Sequence, residues 1–254
     1  MKFAGLVEYD GAEFAGWASQ PDRRTVEDTL SEAFETILQV PVRMSVAGRT
    51  DAGVHAAGQV ISFDADTDLA PHLVAYKTSA VLPKDLAVRR CVEVPKDFDA
   101  RRDARSRSYE YRIVNSPVRS PLLWRRSLYF ARELDFGLLR EAGERILGVH
   151  EFKAFTPNRT YHVRFERTIT ESFWEKHGEL LVYNITANSF LYGMVRSLIG
   201  TMLEVAERKR KLADFERLLS DGDRTEAGPA VLARGLTLTN VEYQLDLWGN
   251  HEHG

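Results

Sequence analysis

The chain has 254 residues, 34 Lys+Arg against 37 Asp+Glu, a net charge of −3 and 44% hydrophobic residues, which excludes a disordered or fibrous protein. Folding at this length buries roughly 70–75% of the unfolded chain's surface, so neither disulfides nor a structural metal is needed, and the single Cys91 excludes a disulfide framework or multi-cysteine zinc site. No run reaches the ~18 apolar residues of a membrane span and residues 1–9 alternate like a strand instead of a secretory signal, so a cytoplasmic location is expected.

In chain order, residues 3–8 are predicted as a strand. Thr25 can cap a helix whose apolar positions Val26, Leu30, Phe34, Ile37 and Leu38 fall at helical spacing. Pro41 leads into a second strand, where Val42, Met44 and Val46 alternate with Arg43 and Ser45. After a loop at 48–53, residues 59–63 give a third. Pro71 opens a helix that runs to about Val81, Pro83 breaks it, and 86–94 supply a fourth strand. The order is β-α-β-β-α-β, the ferredoxin-like split unit.

The second half predicts the same order with one added helix. Its elements are a strand at 108–114, a helix at 136–147 closed by Gly148, paired strands at 163–173 and 179–187, helices at 190–206 and 212–219, and a final strand at 236–245. The expected architecture is therefore α+β, with one ferredoxin-like domain at 1–102, a second at 103–254 and a cleft between them. Neither half carries the aromatic signature of an RRM.

The net charge hides a local one. Residues 101–126 hold eight Arg against Asp103 and Glu110, a balance of +6 that leaves −9 for the remainder, and Arg outnumbers Lys 26 to 8. Arg grips phosphate with a planar fork, so Arg101, Arg102, Arg105 and Arg107 are candidates for an RNA backbone contact, although the same run fits a solvated basic face.

Chemistry is best placed in the loop Gly48-Arg49-Thr50-Asp51-Ala52-Gly53. Its glycines permit close backbone approach, and a cation near Asp51 would keep that carboxylate ionised and nucleophilic. A plain Asp-Ala-Gly turn beside an incidental Arg49 fits the same string. No second carboxylate or histidine cluster stands at a glycosidase or metal-site spacing. Arg196 is the one cation in the apolar run 190–206; a buried guanidinium needs an acid from elsewhere in the fold, unless it reaches solvent through a packing gap. Tyr109 and Tyr111 share a strand face with Ile113 and are either core aromatics or, at a cleft edge, a stacking surface for a base.

Taken together, Tyr9-Asp10-Gly11, Gly16-Trp17, Ala47-Gly48-Arg49-Thr50-Asp51-Ala52-Gly53-Val54-His55-Ala56, Gln59-Val60, Tyr109-Glu110-Tyr111, Phe190-Leu191, Met194-Val195-Arg196 and Gly235-Leu236 resemble the tRNA pseudouridine synthase A family. The resemblance implies a duplicated α+β fold with its active site between the halves, a homodimer, and no metal or organic cofactor. It implies an isomerase that flips uridines out of the anticodon stem and loop of tRNA, at positions 38, 39 and 40, and converts them to pseudouridine. In that family's terms Asp51 is the nucleophile, Arg49 helps hold the flipped nucleotide's place, Tyr109 stacks on the uracil, Arg196 is the cationic partner of the carboxylate and Leu236 is an apolar wall. Ala18, Ser79, His150-Glu151-Phe152 and a short 156–167 segment depart from the pattern, and they fall on RNA-contacting loops more than on the pocket. The competing classes are a non-catalytic RNA-binding protein and a carboxylate-dependent nucleoside hydrolase. The triplets Asn158-Arg159-Thr160 and Asn184-Ile185-Thr186 are glycan acceptors only in a secreted chain, and His251-Glu252-His253 reads as a tail.

Overall fold

Capping and apolar spacing put the early elements close to their predicted places. The computed structural model describes residues 1–158 and 163–249. In it β1 (Lys2–Tyr9) is followed by α1 (Val26–Leu38), which begins where the Thr25 hydroxyl accepts a hydrogen bond from the Asp28 amide. β2 (Met44–Val46), β3 (His55–Asp64), α2 (Pro71–Val81) and β4 (Leu86–Glu93) complete the first series. Pro71 stands in the first turn of α2, where its missing N–H costs nothing. Arg159 and Thr160 of the first Asn-X-Thr triplet, and His251-Glu252-His253, lie outside the described residues.

Two compact units are present. The first comprises Met1–Arg107 together with the chain from Thr237 onward. Its strands run β4-β1-β3, with β2 and the terminal β10 (Leu236–Tyr243) sharing the far edge of β3. β1 is antiparallel to both β3 and β4, β2 is antiparallel to β3 at Ile61–Phe63, and β10 is parallel to β3 at Thr237↔His55 and Leu238↔Ala56. β3 starts four residues before the predicted 59–63, where His55 meets Thr237 and Ala56 lies between Leu238 and Tyr9 of β1. Gly58 lies so close to β10 that a Cβ on it would stand 2.2 Å from the Thr239 carbonyl oxygen. Beneath the sheet, Phe63 stacks on Phe3 (5.4 Å) and tilts against Phe34 (4.6 Å), all three fully buried. Each such pair adds about 0.5–1.5 kcal/mol beyond the area it removes from water.

The second unit is Ser108–Leu236. It holds most of β5 (Ala104–Asn115), then β6 (Leu128–Phe130), α3 (Phe136–Glu144), β7 (Gly148–Glu151), β8 (Glu166–His177), β9 (Leu180–Ala187), α4 (Met194–Ala206) and α5 (Leu212–Arg217). Its strand order is β5-β9-β8-β7, with β6 parallel to β5. Trp174 stacks on Tyr183 at 4.8 Å, and Ser172 bridges the Tyr183 hydroxyl and the Gly143 carbonyl of α3 at 2.8 and 2.6 Å.

Several expectations are corrected. Gly148 does not cap α3: the chain tightens through Ile146 N–H to Gly143 O and Leu147 N–H to Glu144 O, leaves the helix at Glu144, and Gly148 begins β7 at φ +97°. α4 starts at Met194 and not at 190, because Gly193 at φ +67° ends the preceding turn. The short β6 and β7 have too few residues to show a period. The last strand, expected to finish the second half, groups with the first unit, and the units divide inside β5 and not at 102/103. Among the described residues no helix is long and apolar enough to cross a membrane.

Candidate active site

The predicted loop between β2 and β3 is gripped on several sides within the first unit. Gln59, fully buried in β3, donates to the Gly48 carbonyl at 2.7 Å. The hydroxyls of Tyr9 and Thr50 lie 2.7 Å apart, both side chains are buried, and burial pushes the Tyr9 phenol up to about 12. The Trp17 amide donates to Thr50 O at 3.0 Å and the Gly53 amide to Phe14 O at 3.3 Å, while the Val54 amide closes a turn onto Asp51 O at 3.1 Å. Gly16, at φ +104°, passes so near the loop that a Cβ would stand 2.9 Å from Thr50 O and 3.1 Å from the Ala52 nitrogen. The carbonyls of Gly16 and Trp17 accept from the first amides of α1, Val26 and Glu27, at 3.2 and 3.0 Å. On this support Asp51 is half-buried, and Arg49 and Ala52 are exposed. A carboxylate on a rigid, partly open loop can act as a nucleophile or bind a polar group.

In the second unit Tyr109 is 9% exposed and meets the Phe190 ring edge-to-face at 5.1 Å. Arg196, in the first turn of α4, is half-buried, and its Nε donates to the Val231 carbonyl at 2.7 Å while the Val231 amide returns a bond to Arg196 O at 3.1 Å. The next residue, Leu232, accepts from the buried Tyr111 hydroxyl at 2.8 Å. Burial raises the Tyr111 phenol despite the nearby charges of Arg196 and Arg234. Arg234 lies over the Trp124 ring at 3.8 Å and donates from Nε to Ser127 O at 3.1 Å. These bonds fix the segment that ends in Leu236, which is buried.

The basic strip divides into two kinds of arginine. Arg101 and Arg105 are exposed, as is Arg102, whose guanidinium bonds Asp103 at 2.9 Å and also the Asp97 carbonyl. The Arg102 guanidinium beside Asp103 holds that carboxyl below the usual range. Partial burial raises Asp99, yet the Arg102 amide, the Ser45 hydroxyl and the Arg101 amide bring its carboxyl below the ordinary value. Arg107 is different. It is buried, and its guanidinium meets main-chain carbonyls, so the expected phosphate contact is withdrawn for this residue. That role was legible: Arg107 has the same strand parity as Tyr109, Tyr111 and Ile113, the face that points inward. The supporting parts played by Tyr9 and Gln59 carried no such signal, since each depends on a partner about 40 to 50 residues away or on the far side of the loop.

Comparison with known proteins identifies the family. A family model described as "tRNA pseudouridine synthase" matches residues 6–103 and 142–244. The chain is 38% identical over 251 residues to a protein named tRNA pseudouridine synthase A from Aliivibrio fischeri strain MJ11, covering 97% of this chain and 94% of that one. It is 35% identical over 243 residues to the protein of the same name from Actinobacillus pleuropneumoniae serotype 7, covering 96% and 93%. With that from Acetivibrio thermocellus it shares 34% over 238 residues, covering 94% and 98%. These matches run through both units and remove the non-catalytic and hydrolase readings: the chain belongs to the tRNA pseudouridine synthase family, a family of RNA-modifying isomerases.

Proposed function

We propose that this enzyme isomerises uridine to pseudouridine at positions 38, 39 and 40 in the anticodon stem and loop of tRNA, using Asp51 as nucleophile. The observation that carries the reading is the loop itself: the ten-residue string surrounds a half-buried carboxylate on a loop that Gln59, Tyr9, Trp17 and Phe14 hold in place. The reaction needs no external reagent, because the detached base stays bound as the second reactant. Asp51 adds to uracil C6 or to ribose C1′, the N1–C1′ bond breaks, the base turns, C5 joins C1′, and the bond to Asp51 breaks so that the carboxylate leaves C1′ as C5 arrives or is eliminated from C6 afterwards. The C5 proton is then lost while N1 gains one. Tyr109 is the group proposed to stack on the uracil and to accept the C5 proton. Arg196 is proposed as the cation that keeps the carboxylate ionised, Arg49 as the residue that holds the flipped nucleotide's place, and Leu236 as an apolar wall. A homodimer of two-fold duplicated, ferredoxin-like chains acting in the cytoplasm completes the proposal. The test is to map pseudouridine in total tRNA from cells with and without this protein. Loss confined to positions 38–40 is expected; unchanged modification there would overturn the assignment.

A uridine inside a stem leaves its stack at a cost of a few kcal/mol, which phosphate contacts from Arg101, Arg102 and Arg105 are proposed to offset. Three contacts set a log–log salt slope of roughly −2 to −3. Arg102→Gln with Arg105→Gln should reduce that slope by about 1.5 and raise KM for tRNA more than it lowers kcat. A slope unchanged from wild type places the RNA path elsewhere.

A further inference from the structure

Arg107 lies in β5 with 9% of its surface exposed. Its Nε and Nη2 both donate to the Ala47 carbonyl, at 3.2 and 2.8 Å; Nη2 also reaches Arg101 O at 3.0 Å, and Nη1 reaches Ala104 O at 3.1 Å. Burying a cation costs several kcal/mol unless its donors are satisfied. Here three carbonyl oxygens from two separate stretches of chain receive them. One of these, Ala47, is the last residue before the Asp51 loop, and its own amide is tied to Val60 O at 2.9 Å. Gln59 and Tyr9 grip the loop at Gly48 and Thr50. Arg107 fixes where it starts.

We propose that Arg107 is a positioning residue for isomerisation: its fork ties the root of the Asp51 loop to the main chain at Arg101 and Ala104 and so sets the aim of the carboxylate. The inference rests on Asp51 being the nucleophile. A guanidinium presents its donors in one plane at fixed angles, so the three carbonyls are held at fixed separations, which an ammonium on a flexible stem cannot reproduce. A nucleophile must be held within about 0.5 Å of its productive position, and a misplacement of ~1 Å costs on the order of 10²-fold in rate.

The test uses full-length Arg107→Gln and Arg107→Lys with tRNA, assayed at a temperature where circular dichroism shows both folded. Steady-state kinetics, tRNA binding across a salt series and amide exchange of residues 47–53 are measured. The expected result is a kcat lower by about 10²-fold in both variants, with faster exchange in the loop and tRNA affinity and salt slope close to wild type. If the Gln variant does not fold, the Lys variant, which keeps the charge, carries the same comparison. A kcat within about threefold of wild type in a folded variant overturns the proposal. So does a salt slope reduced by ~0.7–0.9 with kcat unchanged, which would make Arg107 a phosphate contact. Asp51→Asn is run beside them. If it is active, the reading of Asp51 has failed; if it is inactive while both Arg107 variants turn over normally, only the positioning role has.

Discussion

With Asp51 as the proposed nucleophile, Asp51→Asn is expected to leave tRNA bound and to abolish isomerisation. The amide keeps the shape of the carboxylate, and the grips at Ala47, Gly48, Thr50 and Gly53 and on the Asp51 main chain remain. It removes the charge that the proposed nucleophilic oxygen needs. Loss of a nucleophile from a covalent enzyme costs at least ~10⁴-fold in kcat, whereas loss of a binding contact appears mainly in KM. Release of tritium from 5-tritiated uridine in tRNA measures turnover, and filter binding measures affinity. Affinity within a few fold of wild type with no tritium release is the expected pair of results. Turnover near wild type would remove Asp51 from the mechanism, and a large loss of affinity with normal kcat would make it a binding group.

Gly16→Ala has the largest expected effect of any change outside the proposed reacting groups. At φ +104° an alanine is strained wherever it stands, at a cost of about 1–3 kcal/mol. Here the new Cβ also meets main chain: Thr50 O at 2.9 Å, the Ala52 nitrogen at 3.1 Å and the Asp51 carbonyl carbon at 3.2 Å. None of these is the end of a side chain that can turn aside, so the loop itself must shift. The melting temperature should fall by roughly 3–10 °C, and kcat by about 10²-fold or more at temperatures where the protein remains folded. Gly178, in the turn between β8 and β9, separates the two causes. It has φ +62°, and a Cβ added there would meet nothing within 4 Å, so Gly178→Ala should lower the melting temperature while activity stays normal. Equal loss of kcat in both variants would show that backbone strain alone, and not the contact with the Asp51 loop, accounts for the effect.

Local signals made much of this fold legible. Thr25, Pro71 and the apolar spacing of Val26, Leu30 and Phe34 locate α1 and α2 to within a residue, because caps and one-sided burial act over a single turn. The signal failed where the deciding partner is distant. His55 enters β3 opposite Thr237, and Ala56 pairs with both Leu238 and Tyr9, while Phe190 and Leu191 stay outside α4 because Gly193 turns the chain before it. In the site, the ten-residue string marks the loop plainly. What the residues around it do was less visible: Arg107 lies among arginines that face water, and composition weighed more than the strand parity that places it inside.

The parallel contact of β10 with β3 imposes an order on synthesis. The edge of β3 beyond the proposed nucleophile loop is completed by a strand made roughly 180 residues later, which at 5–20 residues per second is roughly 10–40 s of translation. During that interval the N–H and C=O groups of His55 and Ala56 that await Thr237 and Leu238 have no sheet partner, and the approach at Gly58 stays open. The first unit of a nascent chain on the ribosome therefore lacks one strand, however well its aromatic core has formed. Its final neighbour emerges only after all of Ser108–Leu236 has been made. Premature termination anywhere in that stretch yields a first unit with an open edge, and a source of aggregation, instead of a smaller working enzyme.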